Sequence, residues 1–557
     1  MSRVRVLASA FVLLWSAIPG VSHSSVLLHE ILPPTPQAYA HFGQGLAGGG
    51  DVNGDRYDDI VVGAPDFDLG GGLENAGEAY VFSGKTGTLL WSCTSPNPEA
   101  GAHFGLGVTI IRDLNGDGFD DVVVGAPDED MESGLTDAGG VYVFCGRTGV
   151  LLMTIVSPDP EVSGKFGRSV AAPGDMDLDG VDDVLVGATG ETSDGGLVPA
   201  GLVYAMSGVT GSHLLTFVSP NEEANGCFGH AIAGAGHTNA DAYPDVIVGA
   251  PFENNPGYPE STGRAYLFDG HTAAVRFSFQ GYNTSEDDNF GWSVAGGGDS
   301  DGDGYDDMAI GAPGQDYNGG LQWTDTGWVY RFSGLTGSSR PIDLELFEGI
   351  YMYNGESVAC IGDWDRDGFD DVAYGEPGPG EIDLSGGVEI ISGATGTWID
   401  WAEPPAPEGW GAFGMVLAAV GDVNDDWYPD FAVTSLYADV IYEDTGRVWV
   451  IGRPHPTISL SAQASSTHFV LLTWNAVDGA TQYWIYGAVN DPYFEPQSEG
   501  PSNNLVAVTS GTAWISLAPT GNEDANWTYL VVAMNSAGVS LCKSNRAGEF
   551  DREVESP

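Results

Sequence analysis

The stretch "DVNGDRYDD", residues 51–59, places acidic or amide side chains at its positions 1, 3, 5 and 9: Asp51, Asn53, Asp55 and Asp59. In a tightly curled hairpin loop, this spacing turns the side-chain oxygens toward one point. Ca²⁺ takes six to eight oxygen ligands at about 2.3–2.6 Å and tolerates irregular geometry, whereas Mg²⁺ demands a near-octahedral shell and keeps its water. The predicted chemistry is therefore Ca²⁺ binding, with the backbone carbonyl of position 7, Tyr57, as a further ligand and its side chain turned into the fold. Without a cation, carboxylates crowded this closely would repel one another. Asp58, at position 8, is expected to point away from the ion and to be solvated.

The same constellation recurs along the chain. The further copies are Asp113, Asn115, Asp117, Phe119 and Asp121; Asp175, Asp177, Asp179, Val181 and Asp183; and Asp299, Asp301, Asp303, Tyr305 and Asp307. Two more are Asp363, Asp365, Asp367, Phe369 and Asp371, and Asp422, Asn424, Asp426, Tyr428 and Asp430. One copy departs: His237, Asn239, Asp241 and Asp245 offer two carboxylates and a poor Ca²⁺ ligand at position 1, so that loop is expected to bind weakly or to stay empty. About six Ca²⁺ sites follow, serving as structural pins for hairpins rather than as sensors. Position 8 is again Asp in Asp120, Asp182, Asp306 and Asp370, and the same solvated role is expected there.

Elements of a repeating unit must position these loops. The first positions, Asp51, Asp113, Asp175, His237, Asp299, Asp363 and Asp422, are separated by 62, 62, 62, 62, 64 and 59 residues. A Phe-Gly pair opens six of the units, at Phe42, Phe104, Phe166, Phe228, Phe290 and Phe413, nine residues before the acidic loop. The sixth unit has Asn354-Gly355 instead, and Gly375-Glu376-Pro377 where Gly-Ala-Pro is expected. Each loop leads into a short β-branched run, then a Gly-rich acidic stretch, then a third strand such as "GGVYVFCGRTG" from Gly139 and a fourth such as "VLLMTIVSP" from Val150. Four short antiparallel strands in about 60 residues make one blade of a β-propeller, and seven blades lie within the usual range of about four to eight. The seventh unit lacks a fourth strand, while "VLLHEILPP" at Val26 to Pro34 aligns with "VLLMTIVSP". The N-terminal strand is thus expected to complete the last blade and close the ring.

Composition narrows the function. With 78 Asp and Glu against 18 Lys and Arg, the formal net charge of −60 repels nucleic acid and anionic lipid. Arg3 and Arg5 precede an apolar run from Val6 to Ile18 and small residues around Ser22 and Ser24, the pattern of an export signal over residues 1–24. No later run is long enough to span a membrane, so a secreted, extracellular or cell-surface protein is expected. The five cysteines, Cys93, Cys145, Cys227, Cys360 and Cys542, are too scattered for a disulfide framework. Asn283 and Asn526 begin Asn-x-Ser/Thr sequons.

Phe-Gly, the acidic loop and Gly-Ala-Pro together resemble the FG-GAP repeat of the integrin alpha-chain head, over about residues 25–453. The resemblance implies Ca²⁺ in hairpin loops on a lower face and ligand contact at the opposite, upper face. The blade spacings leave no room for an inserted adhesion domain, and the chain is expected to lack leg domains, a membrane span and a cytoplasmic tail, so pairing with a beta-type chain is not expected, and the protein is expected to be monomeric. Residues 457–557, with Trp474, Tyr483, Tyr486, Leu517, Pro519, Tyr529 and Asn535, resemble a fibronectin type III domain, a β-sandwich with Trp474 in its core and Tyr529 as a tyrosine corner.

The fold class expected is thus all-β: a seven-bladed propeller followed by a fibronectin type III-like sandwich. The functional expectation is adhesion or recognition of a protein or glycan ligand through the loops between second and third strands, with Tyr258, Tyr317 and Trp323 exposed on them. A polysaccharide-acting enzyme and a surface-layer component are the alternatives. No GxSxG, HExxH or P-loop occurs, "GQGLAG" from Gly43 opens a strand rather than a strand-to-helix turn, and the protein is not expected to be an enzyme. His41, His103 and His230, beside the Phe-Gly sites, are expected to be packing residues.

Overall fold

The computed structural model describes residues 25–453 apart from 132–133, 194–198, 255–260, 283–285, 317–324, 341–351, 379–385, 406–410, 425, 427 and 439–443; beyond 453 it describes mainly strands. The chain divides into two compact units, Met1–Arg453 and Pro454–Pro557. The export signal, the two sequons, Tyr258, Tyr317, Trp323, Trp474, Leu517, Pro519 and Asn535 lie outside the described residues.

The first unit is an all-β propeller of seven four-stranded antiparallel sheets. Blade 1 runs Gly45–Gly50, Asp59–Ala64, Glu78–Phe82 and Leu89–Cys93, from the axis outward. Blades 2 to 6 repeat this order, and the inner strand of each blade touches the inner strands of its two neighbours until Phe413–Gly421 of blade 7 meets Gly45–Gly50 of blade 1. In blade 7 the outer strand is Val26–Ile31, which pairs with Arg447–Gly452 from Val26↔Gly452 to Ile31↔Val448. The first and last strands of the unit therefore lie in one sheet, so its ring is closed by hydrogen bonds.

The burial pattern explains why these sequences form blades. Second strands such as Asp59–Ala64 and Asp121–Ala126 are buried at every residue, as befits β-branched runs covered on both faces, whereas the outer strand Leu89–Cys93 is mostly exposed or half-exposed. The cores lie between blades: Phe104 packs with Val61 and Val81 of blade 1 and with Val124 and Tyr142 of blade 2. Phe42, Phe104, Phe166, Phe228, Phe290 and Phe413 are all fully buried.

The two motif glycines are partners across each blade junction. A Cβ on Gly63, the glycine of Gly-Ala-Pro in blade 1, would lie 1.8 Å from the carbonyl oxygen of Gly105, the glycine of Phe-Gly in blade 2. Gly105 itself has φ +96°, which a residue with a side chain rarely adopts. The same approach occurs between Gly375 and Gly414, at 1.8 Å, so the Gly-Glu-Pro of blade 6 keeps the essential glycine. In blade 7, Thr434 stands at this place and its methyl group faces Gly43.

The second unit contains a three-stranded sheet of Ser461–Ser465, Phe469–Thr473 and Ala513–Ser516, and a four-stranded sheet in the order Leu505–Thr509, Gln482–Val489, Trp527–Met534, Ser540–Lys543. Tyr483 is buried.

Candidate cation-binding loops and the opposite face

Each acidic loop joins the inner strand to the second strand of its blade, so all the loops share one end of the propeller. Within a loop the position-1 carboxylate winds the backbone around itself. In blade 1, Asp51 Oδ1 accepts the N–H groups of Gly54 (2.6 Å) and Asp55 (3.1 Å), and Oδ2 accepts that of Arg56 (2.8 Å). Asp113 repeats this in blade 2, accepting from Gly116, Asp117 and Gly118. Position 5 accepts the N–H of position 7, as in Asp55 to Tyr57 and Asp303 to Tyr305. Position 9 accepts the N–H of position 2 and of the third-to-fourth-strand turn, as Asp59 does from Val52 and Gly84.

Among the described residues, three loops bring three carboxylates together. Asp175, Asp177 and Asp183, then Asp299, Asp301 and Asp303, then Asp363, Asp365 and Asp371 each offer oxygens within 4.8 Å of one another. Asp179, Asp307 and Asp367 fall outside those closest groups. In blades 1, 2 and 7 position 3 is Asn, and its amide nitrogen turns to position 9: Asn53 to Asp59 (2.9 Å), Asn115 to Asp121 (3.1 Å) and Asn424 to Asp430 (3.4 Å).

The donor set fits a hard divalent cation. It is all oxygen, and buried Oδ1 atoms of Asp363 and Asn424 have no hydrogen-bond partner within the protein. Burial pushes the position-9 carboxyl groups up, with neighbouring loop carboxylates adding to the rise: Asp59 and Asp371 to about 7, Asp121, Asp183 and Asp307 to about 6, and Asp430 to about 9. A cation at the centre would supply the positive charge that these groups lack.

Blade 4 is built differently. Its Asp245, fully buried, accepts a hydrogen bond at 2.6 Å from Nη1 of Arg276, which also donates to the Thr238 hydroxyl and, through Nη2, to the Thr238 carbonyl (3.1 Å). A guanidinium thus neutralises position 9 in the loop whose position 1 is His237. The sequence signal was an arginine on the outer strand of the blade whose loop had lost its leading aspartate.

Two expectations for these loops are corrected. The position-7 side chains are half-exposed rather than turned into the blade: Phe119 lies against Gly54 of blade 1 and Phe369 against Gly302 of blade 5, and Arg147 and Lys85 sit over the rings of Phe119 and Tyr57. Position 2 fills the blade junctions instead, with Val52, Met176, Trp364 and Val423 buried. Nor are the position-8 carboxylates merely solvated. They are half-buried, and Asp120, Asp306 and Asp370 accept the position-1 N–H of the preceding blade, from Asp51 (2.8 Å), His237 (2.6 Å) and Asp299 (3.0 Å).

At the other end, the described parts of the second-to-third-strand loops are hydrogen-bonded to the segment that opens the next blade, as in Gly101 N–H to Glu74 and Phe104 N–H to Ala76. Here His41 and His103 prove to be hydrogen-bond partners of carboxylates rather than packing residues. His41 Nδ1 lies 2.5 Å from Asp66, His103 bridges Asp66 (3.3 Å) and Asp128 (2.7 Å), and Lys165 pairs with Asp128. His230 does pack, 4.6 Å from the Trp292 ring, and burial lowers it to about 3. Carboxyl groups of Glu129, Glu191 and Glu253 are buried beneath the same face, each bonded to a tyrosine: Tyr142, Tyr204 and Tyr266. The glutamate two residues past Gly-Ala-Pro or Gly-Ala-Thr was the available signal.

The FG-GAP repeat model matches residues 42–82, 104–144 and 290–330, spanning blades 1, 2 and 5. The chain is 29% identical over 277 residues to integrin alpha-5 of Xenopus laevis, covering 46% of this chain and 23% of that protein. It is 30% identical over 274 residues to integrin alpha pat-2 of Caenorhabditis briggsae (42% and 21%), and 30% over 210 residues to integrin alpha-V of Gallus gallus (36% and 19%). The chain thus spans about a fifth of the length of these relatives. Its N-terminal unit is an integrin-alpha-like, seven-bladed β-propeller carrying FG-GAP repeats.

Proposed function

We propose that this is a secreted, calcium-binding adhesion or recognition protein that binds an extracellular protein or glycan through the loops between second and third strands. The observation that carries the reading is the division of labour between the two ends of the ring. One end concentrates six oxygen-lined loops that a divalent cation would pin, and the other carries the second-to-third-strand loops, whose described ends are hydrogen-bonded to the next blade, on a regular scaffold of the kind where binding residues are expected. Asp51, Asn53, Asp55 and Asp59, with the Tyr57 carbonyl, would hold the ion of blade 1, and the equivalent residues those of blades 2, 3, 5, 6 and 7. Blade 4 uses Arg276 in place of an ion. The strand order of the second unit, three strands in one sheet and four in the other, supports a fibronectin type III-like module over residues 457–557 that acts as spacer or accessory. The propeller is a monomeric recognition scaffold rather than an enzyme.

A protein and glycan array probed with the full mature chain, with Ca²⁺ and again with a chelator, tests the reading. Ca²⁺-dependent retention on a defined class of spots is expected. Turnover of a polysaccharide, or no retention in either buffer, would count against it.

A further inference from the structure

We infer that Asp120 and Asp370 are positioning residues that couple the cation loops of neighbouring blades, so that an ion in blade 2 strengthens binding in blade 1, and an ion in blade 6 strengthens binding in blade 5. The inference rests on the reading of these loops as Ca²⁺ sites and adds the communication between them.

At the junction of blades 1 and 2, Asp120 Oδ2 accepts the N–H of Asp51 at 2.8 Å, and the N–H of Asp120 is donated to the carbonyl of Asp51 at 3.2 Å. The other oxygen, Oδ1, accepts the N–H of Asp113 at 3.3 Å. One carboxylate therefore holds the leading residue of both loops. Its chain neighbours, Phe119 and Asp121, are the position-7 and position-9 ligands of blade 2, so an ion there fixes the peptide that carries Asp120. The Phe119 ring adds a second link, since a Cβ on Gly54 would lie 2.5 Å from it. Asp370 repeats the clasp toward Asp299, with a side-chain bond of 3.0 Å and a main-chain bond of 3.3 Å, and Phe369 lies against Gly302. Blades 4 and 7 have Pro244 and Pro429 at position 8, which offer neither a carboxylate nor an N–H, so the leading residues Asp175 and Asp363 lack this clasp. Asp306 clasps His237, but that loop carries a guanidinium instead of an ion.

Such coupling is reciprocal and is commonly worth about 5- to 150-fold in affinity. The test is amide hydrogen exchange of a peptide covering residues 51–59 in the full chain, followed across a Ca²⁺ titration. Asp117→Ala, which disables the blade 2 loop, is expected to raise the Ca²⁺ midpoint for protection of the blade 1 peptide roughly tenfold. In an Asp120→Ala background, the same Asp117→Ala change should move that midpoint little further. Asp120→Asn, which keeps one acceptor oxygen, should retain part of the shift and serves if the alanine variant folds poorly. An unmoved blade 1 midpoint in Asp117→Ala, or an equal tenfold shift with Asp120 removed, would overturn the coupling. Absence of Ca²⁺ protection in every loop would instead overturn the calcium reading on which it stands.

Discussion

His103 sits between Asp66 and Asp128, and both hydrogen bonds favour its cationic form, which lifts it to about 9 against the cost of burial. A raised histidine contributes stability that is fully present below about 6.5 and is lost as pH rises through about 9. Burial alone would raise Asp66 and Asp128, but their basic partners outweigh it and hold both below the ordinary value, so their share is present above about 4 and lost as pH falls. His103→Ala should therefore lower stability at pH 7 by about 1 kcal/mol and flatten the decline between pH 7 and 10. Thermal melts of the two proteins across that range would show it; parallel declines would contradict it. Arg276→Ala leaves the buried Asp245 without its guanidinium and should cost about 3 kcal/mol, read from denaturant unfolding. Pairing Arg276→Gln with His237→Asp should create a seventh Ca²⁺ loop, adding one ion per chain in equilibrium dialysis. The crowding of loop carboxylates such as Asp175, Asp177 and Asp183 was legible because their spacing is local. The roles of position 8 and of His103 were not, because the partners of Asp120 and Asp370 lie 69 and 71 residues away and His103 reaches Asp66 of another blade.

Strands were legible for a related reason: each is a short run set off by turn residues, and the run recurs at the same place in successive units. The Val26–Ile31 strand could be placed in the last blade from its likeness to Val150–Pro158, and the structure pairs it with Arg447–Gly452. Removing residues 25–34 strips the outer strand from blade 7 and exposes a third strand that is buried at all but its first residue. The propeller melt should fall to lower temperature as one cooperative transition, measured by calorimetry, whereas an unchanged melt would show that the strand does not close the ring. The Phe-Gly element answers to packing: Phe104→Ala empties a site shared by blades 1 and 2 and should cost about 3–5 kcal/mol. What sequence did not disclose is that the glycines of Phe-Gly and Gly-Ala-Pro meet across a junction, since each motif is read within its own repeat while the close approach of Gly63 and Gly105 joins two.

Across the whole molecule, 78 acidic residues face 18 basic ones, and the closed ring gathers many of those carboxylates at one end. Self-repulsion on that scale favours opening of the loops unless positive charge is supplied. Arg276 supplies it to the blade 4 loop, and Arg340, 3.4 Å from Asp301, supplies part of it to the blade 5 loop; on the proposed reading, ions from outside would supply the rest. The most direct measurement is the number of Ca²⁺ ions held by the folded, full mature chain at millimolar Ca²⁺, by equilibrium dialysis, paired with a melt in chelator. Six ions per chain and a large chelator-induced fall in melting temperature are predicted. No bound Ca²⁺, with a melt indifferent to the chelator, would contradict cation pinning of the ring.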